Sequence, residues 1–364
     1  MKSNSVLSRP AGGKAIYRRD VQKTDGRNLY LYGYSPHTLP IMDGEQPSKV
    51  SGSELRYHPL RDSWSVYAAG RNKRTFKPGA ASNPLAPTLS ETQHTEIPFT
   101  DFEMCVFENR FPAFDALASQ TASLNGTLIS PAEGKCEVVV YSPETNGSLA
   151  TLGQERRRLV LSAWIDRYEN LYTDDHEYIL PFENRGDEVG VTLHHPHGQI
   201  YALPFIPEPQ QKAVAAFESG YDLAGELIDW KDGYWIEEAG GVVAFAPPFA
   251  RYPYEVWLAP LDPVSGPWEF SEEQSDGFAH LMGKITELYD RFFDQATPYM
   301  FSLQAAPKDH FQHFQFTAQF YPLLRAPGRV KYFASLEQAT GVYTVDVLPE
   351  DVATTLKSMK GTTP

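Results

Sequence analysis

Apolar residues in this chain recur with two spacings, one of strands and one of helices, and the two alternate. Lys135–Tyr141 (KCEVVVY) is β-branched and predicts a strand. After the polar turn at 142–148, Val160, Trp164, Tyr168 and Leu171 fall at helical spacing and predict a helix over Leu152–Tyr172. Tyr178–Phe182 and Gln199–Leu203 then read as strands. The same order returns downstream. Tyr254–Leu258 (YEVWL) reads as a strand. Ser271-Glu272-Glu273-Gln274 reads as a capping box opening a helix that runs to about Phe293. Tyr299–Leu303 and His313–Tyr321 follow as strands. Strand, long helix, strand, strand thus occurs twice, which predicts an α+β fold whose antiparallel sheets carry helices on one side. Residues 1–50 are polar and broken by Pro and Gly, with one short strand at Asn28–Tyr32. They predict an N-terminal extension wrapped on the body or partly disordered. The body then divides into 51–208 and 209–364.

Composition narrows the partners. A chain of 364 residues with 41% hydrophobic content buries either two modest domains or one large one. The net charge of −14 argues against a broad nucleic-acid surface, which needs clustered Lys and Arg. A local basic pocket for a small phosphate is compatible with an acidic protein. The first twenty residues have no apolar core of the signal-peptide kind, and no apolar run reaches membrane-spanning length. Cys105 and Cys136 make a poor disulfide framework, so the cytoplasm is the expected setting.

The chemistry concentrates in Phe182–Leu203, FENRGDEVGVTLHHPHGQIYAL. On an extended chain His195 and His197 point to the same side. Gly198 lets the backbone approach a ligand, and Gln199, Asn184 and Thr192 offer neutral donors. A neutral imidazole can attack phosphorus and later leave, while preorganised donors stabilise charge on the phosphate oxygens. Taken only as His-x-His, the pair favours a structural or metal-binding role over a nucleophile.

The full string changes that balance. His195-Pro196-His197-Gly198-Gln199 is the H-P-H-G-Q signature of galactose-1-phosphate uridylyltransferases, a branch of the histidine-triad superfamily. Gly26-Arg27-Asn28-Leu29, Arg71-Asn72-Lys73-Arg74-Thr75, Val106–Phe111 (VFENRF), Ser142-Pro143, Phe182–Gly186 (FENRG) and Leu324–Tyr332 (LRAPGRVKY) resemble the same family in the same order. The resemblance spans roughly residues 15 to 355 and looks closest to the actinobacterial branch. It implies two tandem histidine-triad-like units with half-barrel sheets, and a double displacement. His197 would take a uridylyl group from UDP-glucose and pass it to galactose-1-phosphate. Gln199, Asn184, Gly190 and Thr192 match positions that hold the phosphates, and His195 is counted with the substrate-binding residues. Leu85, Phe107, Asn109 and Val138 match the uridine pocket, with Arg110 where some relatives have Asp. Arg71 and Arg74 match phosphate-side arginines, which bind planar anions bidentately. Lys331, Tyr332, Ala334 and Glu337 match the sugar-phosphate side, which the family supplies from the second subunit of a homodimer. Arg156-Arg157-Arg158 matches nothing functional and reads as a solvated helix face.

The departures from the pattern concern metals and the sugar. Many relatives hold zinc with a Cys-x-x-Cys pair, a later His and the first His of the signature. Here those places read Asn83 and Ala86, Thr145 and His195. A second site, occupied by iron in some relatives, reads Ala213, Gln304, Thr317 and Gln319. The expectation is an enzyme with no metal and no other cofactor. His194, His310 and His313 show no ligand spacing. Leu336 stands where some relatives have Tyr, and a Gln that contacts the hexose in those relatives has no clear equivalent near Tyr343, so another hexose-1-phosphate or N-acetylhexosamine-1-phosphate acceptor stays open. Three other readings stand beside the uridylyltransferase: a related nucleotidylyltransferase or phosphorylase with another base or sugar, a nucleotide-sugar sensor that has lost catalysis, and a histidine-triad hydrolase in which water resolves the same His-bound nucleotide.

Overall fold

Strands buried on both faces organise the molecule. In Lys135–Val140 every residue after the first is buried, because valines there pack against helices on one side and a loop layer on the other. The structure is a computed structural model that describes residues 4–359, apart from 12, 43, 45–47, 51, 75–77, 80–81, 91–93, 116–124 and 174–175. Its strands in chain order are β1 Ser5–Val6, β2 Tyr17–Gln22, β3 Asn28–Gly33, β4 Glu54–His58, β5 Ser63–Tyr67, β6 Met104–Glu108, β7 Ile129–Pro131, β8 Lys135–Val140, β9 Tyr178–Arg185 and β10 His197–Leu203. They continue with β11 Trp235–Ala239, β12 Val242–Phe245, β13 Val256–Pro260, β14 Tyr299–Gln304, β15 Thr317–Pro322, β16 Leu324–Ala326 and β17 Arg329–Val330. The helices are α1 Gln154–Thr173, α2 Glu208–Glu218, α3 Leu223–Asp229, α4 Lys231–Tyr234, α5 Glu272–Phe293, α6 Ser335–Thr340 and α7 Pro349–Ser358.

One 12-stranded sheet runs β1-β2-β3-β6-β8-β10-β9-β14-β15-β13-β12-β11, and its strand pairs are antiparallel. The order β8-β10-β9 in the first half is matched by β13-β15-β14 in the second. In each half a long helix, α1 or α5, follows the first of the three strands. The halves join where β9 pairs with β14, so the sheet is continuous across residues 208 and 209.

The expected periodicities land on these elements with informative shifts. Ser271 caps α5 as expected: its hydroxyl accepts from Gln274 N at 3.1 Å, and Gln274 Oε1 accepts from Ser271 N at 2.9 Å. β9 runs on to Arg185 because β14 continues beside it, pairing Arg185 with Tyr299. β13 begins at Val256, since Tyr254 has φ of +60°. β15 begins only at Thr317, while Phe314 and Phe316 are buried in the preceding loop.

Three expectations are corrected. The N-terminal segment supplies β1, β2 and β3 to the sheet; paired edge strands satisfy backbone groups that a wrapped loop would leave to water. Helices do not keep to one side. α1 and α5 fill one face, but α3 lays Leu223 and Leu227 against Val243, Phe245 and Ala259 on the other. The triple arginine of α1 is half-buried and tied down. Arg156 bonds the Glu103 carbonyl, Arg157 donates to the Ala279 carbonyl at 2.6 Å, and Arg158 pairs with Asp276. A long guanidinium can bury its stem while its head satisfies carbonyls at the rim of the core.

A buried ion pair ties α1 to β8. Arg167 of α1 forks onto Glu137 of β8 at 2.9 and 2.7 Å, both side chains nearly inaccessible, with Tyr30 of β3 under the guanidinium at 4.2 Å. Removing one partner of such a pair strands a buried charge. Arg167→Met is expected to lower unfolding free energy by about 3–5 kcal/mol, checked by urea titration of both proteins.

Candidate functional site

β10 places the signature by its pairing. It runs between β8 and β9, with Gln199 opposite Val138 on one side and Phe182 on the other. The two-residue period sends His197, Gln199 and Tyr201 into a cavity of about 580 Å³, while Gly198, Ile200 and Ala202 face the core. Gly198 is required on that core side. A Cβ there would collide with Tyr141 Oη and come within 3.0 Å of the Phe182 carbonyl, so the close approach is to the core and not to a ligand.

Besides β10, six stretches of chain wall the cavity. β6 and its turn supply Phe107, Asn109, Arg110 and Phe111; β8 supplies Val138; β9 supplies Phe182 and Asn184. The loop after β9 supplies Val189, Gly190, Val191, Thr192 and Leu193. Gly190 there has φ of +75°, and Gly186 at its base has φ of +100° with Pro298 where a Cβ would go, 2.6 Å away. Pro84, Leu85 and Glu96 close another side, and Arg71 and Arg74 stand at a short helical turn spanning Ala69–Lys73.

Hydrogen bonds fix the protonation pattern of both signature histidines. His197 Nδ1 lies 2.7 Å from the His195 carbonyl, which can only accept, so Nδ1 carries a proton and the lone pair of the neutral ring is on Nε2. His195 Nε2 donates to the Ser142 carbonyl at 2.8 Å, and its Nδ1 accepts from the Asn83 amide at 3.0 Å. The two bonds of His195 make its ring neutral. Burial lowers the His197 pKa, opposed only by the His195 carbonyl, and burial likewise lowers that of His195.

The basic side of the cavity is organised by carbonyls and a phenol. Arg71 Nη1 donates to the Phe111 carbonyl at 3.0 Å and to Tyr201 Oη at 3.3 Å. Arg74 Nε donates to the Arg71 carbonyl at 3.1 Å, and burial followed by Arg71 lowers its pKa. The Arg110 guanidinium lies over Phe111 at 4.9 Å. Three guanidiniums on one cavity give a local positive field within a protein of net charge −14.

The structure brings together Arg71, Arg74, Leu85, Phe107, Asn109, Arg110, Val138, Asn184, Gly190, Thr192, His197 and Gln199 as cavity lining. His195 does not line it; it is buried behind the strand with both ring nitrogens engaged. Lys331, Tyr332, Ala334 and Glu337 do not line it either. They form a separate cluster in which Lys331 pairs with Glu337 at 2.7 Å and the Ala334 N–H donates to the same carboxylate at 3.0 Å. Lys331, then Thr344, hold the Glu337 carboxyl down to about 2.

Sequence reasoning missed Tyr201 and Glu96. Tyr201 follows from extending the period of two beyond Gln199. Glu96 has no local signal: Arg27 Nη2 at 2.7 Å and Lys23 at 2.5 Å hold it, and Arg27 also grips Asp25 and the Glu108 carbonyl. Thr75 lies outside the described residues. Ala213, Gln304, Thr317 and Gln319 do come together, around a second cavity of about 570 Å³. Gln304 Oε1 accepts from Tyr178 and Gln210 at 3.0 Å each, and Gln319 bonds Thr317 and Tyr321. Among the described residues, no three His, Cys, Asp or Glu side chains are grouped to hold a metal. His194 is exposed 3.9 Å from Asp187, and His310 lies 3.0 Å from Glu218.

An oriented imidazole facing a cavity of amides and guanidiniums has the chemistry suited to a transferase of phosphate-bearing groups. Residues 43–207 match the N-terminal domain of galactose-1-phosphate uridyl transferase. The chain is 34% identical to the galactose-1-phosphate uridylyltransferase of Thermotoga maritima, over 84% of this chain and 98% of that one. It is 32% identical to that of Streptomyces lividans, over 78% and 79%. Its fold is similar to a solved uridylyltransferase, with a TM-score of 0.75 at 23% identity over 84% and 97%. The chain belongs to the galactose-1-phosphate uridylyltransferase family.

A histidine can attack phosphorus only as the neutral ring. Because burial lowers the pKa of His197, its ring stays neutral to lower pH than a free imidazole. The rate constant for covalent attack is expected to be level above the ordinary value of 6.5 and to fall only below it. Single-turnover rates across pH would show this; an acid limb centred at or above 6.5 contradicts it.

Proposed function

We infer that this enzyme transfers a uridylyl group from UDP-glucose to galactose-1-phosphate through a covalent intermediate on His197. The observation that carries this is the pinned tautomer: the carbonyl of His195 holds Nδ1–H and leaves Nε2 free to attack. Nε2 attacks the α-phosphorus, the N–P bond forms, and the P–O bond to glucose-1-phosphate breaks. The positive charge on the ring is stabilised by the same carbonyl. Gln199 and Asn184 donate toward the phosphate oxygens, and Arg71 and Arg74 balance their charge. An oxygen of galactose-1-phosphate then attacks phosphorus, and the electron pair returns to Nε2. Neither step needs a proton carried to or from the ring.

Three further readings belong with this one. The repeated order strand, long helix, strand, strand supports two tandem histidine-triad-like units, 51–208 and 209–364, behind an extension of 1–50 that lends strands to the sheet. A homodimer is supported by Lys331, Tyr332, Ala334 and Glu337 lying off the cavity of their own chain, with Tyr332 77% exposed. Such a partner segment would bring the acceptor sugar phosphate. Free, buried Cys105 and Cys136 suit a cytoplasmic setting, and no helix among the described residues is long and apolar enough to cross a membrane.

The zinc that the resemblance implies does not fit the residues present. Asn83, Ala86 and Thr145 offer poor ligands, and His195 has no ring nitrogen left, since one donates to Ser142 and the other accepts from Asn83. The iron of the second place fares no better with Ala213, Gln304, Thr317 and Gln319. The reaction is therefore proposed to run without a metal.

Mixing the protein with UDP-glucose and no acceptor is expected to raise its intact mass by one uridylyl group, with no change in His197→Ala. Galactose-1-phosphate should discharge the adduct faster than other hexose-1-phosphates. Bound UDP-glucose without adduct or released UMP would instead mark a sensor. EDTA is expected to leave the transfer rate unchanged; strong loss that zinc reverses would overturn the metal-free reading.

A further inference from the structure

Asn83 lies in the loop that carries Leu85 to the cavity, and each end of its amide is used. Oδ1 accepts the Leu85 N–H at 3.0 Å, closing a local turn, and Nδ2 donates to His195 Nδ1 at 3.0 Å. The opposite nitrogen of His195 donates to the Ser142 carbonyl at 2.8 Å, so the ring is clamped between two fixed groups and is 2% exposed. The carbonyl of this same residue accepts from His197 Nδ1 at 2.7 Å. Four groups thus stand in series: the Asn83 amide, the His195 ring, the His195 carbonyl and the His197 ring.

We propose that Asn83 is a positioning residue for the His197 nucleophile, acting through the ring and carbonyl of His195. The inference rests on the covalent role of His197 given above. An amide NH₂ only donates, so it selects the His195 tautomer with its proton on Nε2, and that tautomer alone keeps the Ser142 bond. With ring and backbone held, the His195 carbonyl stays in line with His197 Nδ1, and Nε2 keeps its direction toward the cavity. In the relatives described by the resemblance, a metal ties this loop to the first histidine of the signature. Here a neutral hydrogen bond ties the same two positions. It provides direction without a charge to screen or a ligand to lose.

Asn83→Asp separates this role from simple wall-building. The carboxylate keeps the acceptor for Leu85 N–H but has no donor for His195. Long-range ¹H–¹⁵N spectra of the imidazoles are expected to show His195 with its proton on Nε2 in the parent. In the variant the proton should sit on Nδ1, or on both nitrogens. The single-turnover rate of adduct formation should fall about ten- to hundredfold, with the half-saturating UDP-glucose concentration changed less than about threefold. An unchanged tautomer with a rate within about twofold of the parent would overturn the proposal, as would a loss confined to half-saturation. Asn83→Ala, lacking both amide functions, should show the same rate loss together with weaker binding. If neither variant folds, the parent spectrum still decides: a His195 proton on Nδ1 rules the arrangement out. If the parent forms no adduct, the transferase reading fails while the spectra still report on Asn83.

Discussion

Everything in the site hangs on β10 being held from both sides. Its pairing with β8 and β9 leaves no freedom in which residues face the cavity, because slipping by one residue would turn His197 into the core and Gly198 out of it. Gly198 packed against Tyr141 makes the slipped register worse still, since any larger residue would meet that phenol. Imidazole, amide and phenol thus stand in a row on one face, as His197, Gln199 and Tyr201. The last of these steadies Arg71, so the strand also sets part of the positive wall.

The two places where the family pattern has metals share a feature in this chain. At the first, Asn83 holds His195; at the second, Gln304 and Gln319 bond their neighbours around the other cavity. A side-chain amide has donor and acceptor at fixed separation, so it can join two segments as a metal does, in one geometry rather than four. The individual bonds are weaker than metal coordination. Their burial compensates, because breaking one would leave a polar group without water. Rigidity where the nucleophile stands then depends on packing density and amide geometry together.

Legibility differed by element. The long helices announced themselves: α1 by its apolar spacing, and α5 by Ser271 and Gln274, whose reciprocal bonds form as their order implies. The β-branched run at 135–140 was equally plain. β3 was visible but β2 was not, because Tyr17–Gln22 (YRRDVQ) carries charges that look like loop. Arg18 is spent on its strand neighbour Asp20 and on Asp166, and Arg19 on the Leu39 carbonyl; Asp166 and Leu39 are remote enough in sequence that no local window reveals them. The arginines of α1 misled for the same reason: their partners Glu103, Asp276 and Ala279 lie far along the chain.

What the sequence by itself determined is the local grammar and the chemistry. The period of two through H-P-H-G-Q, the caps, the β-branched strands and the identity of His197 as a candidate nucleophile depend on residues within a few positions of one another. Only the tertiary structure decided which nitrogen of His197 is free, that His195 stands behind the site rather than in it, and that Glu96 reaches the cavity on the grip of Lys23 and Arg27. It also decided that Gly198 yields to Tyr141 rather than to a ligand. Apart from the local His195–His197 bond, those outcomes turn on hydrogen bonds and contacts between segments tens of residues apart, whose meeting is set by how the strands order in the sheet, and strand order is not a property of any local stretch.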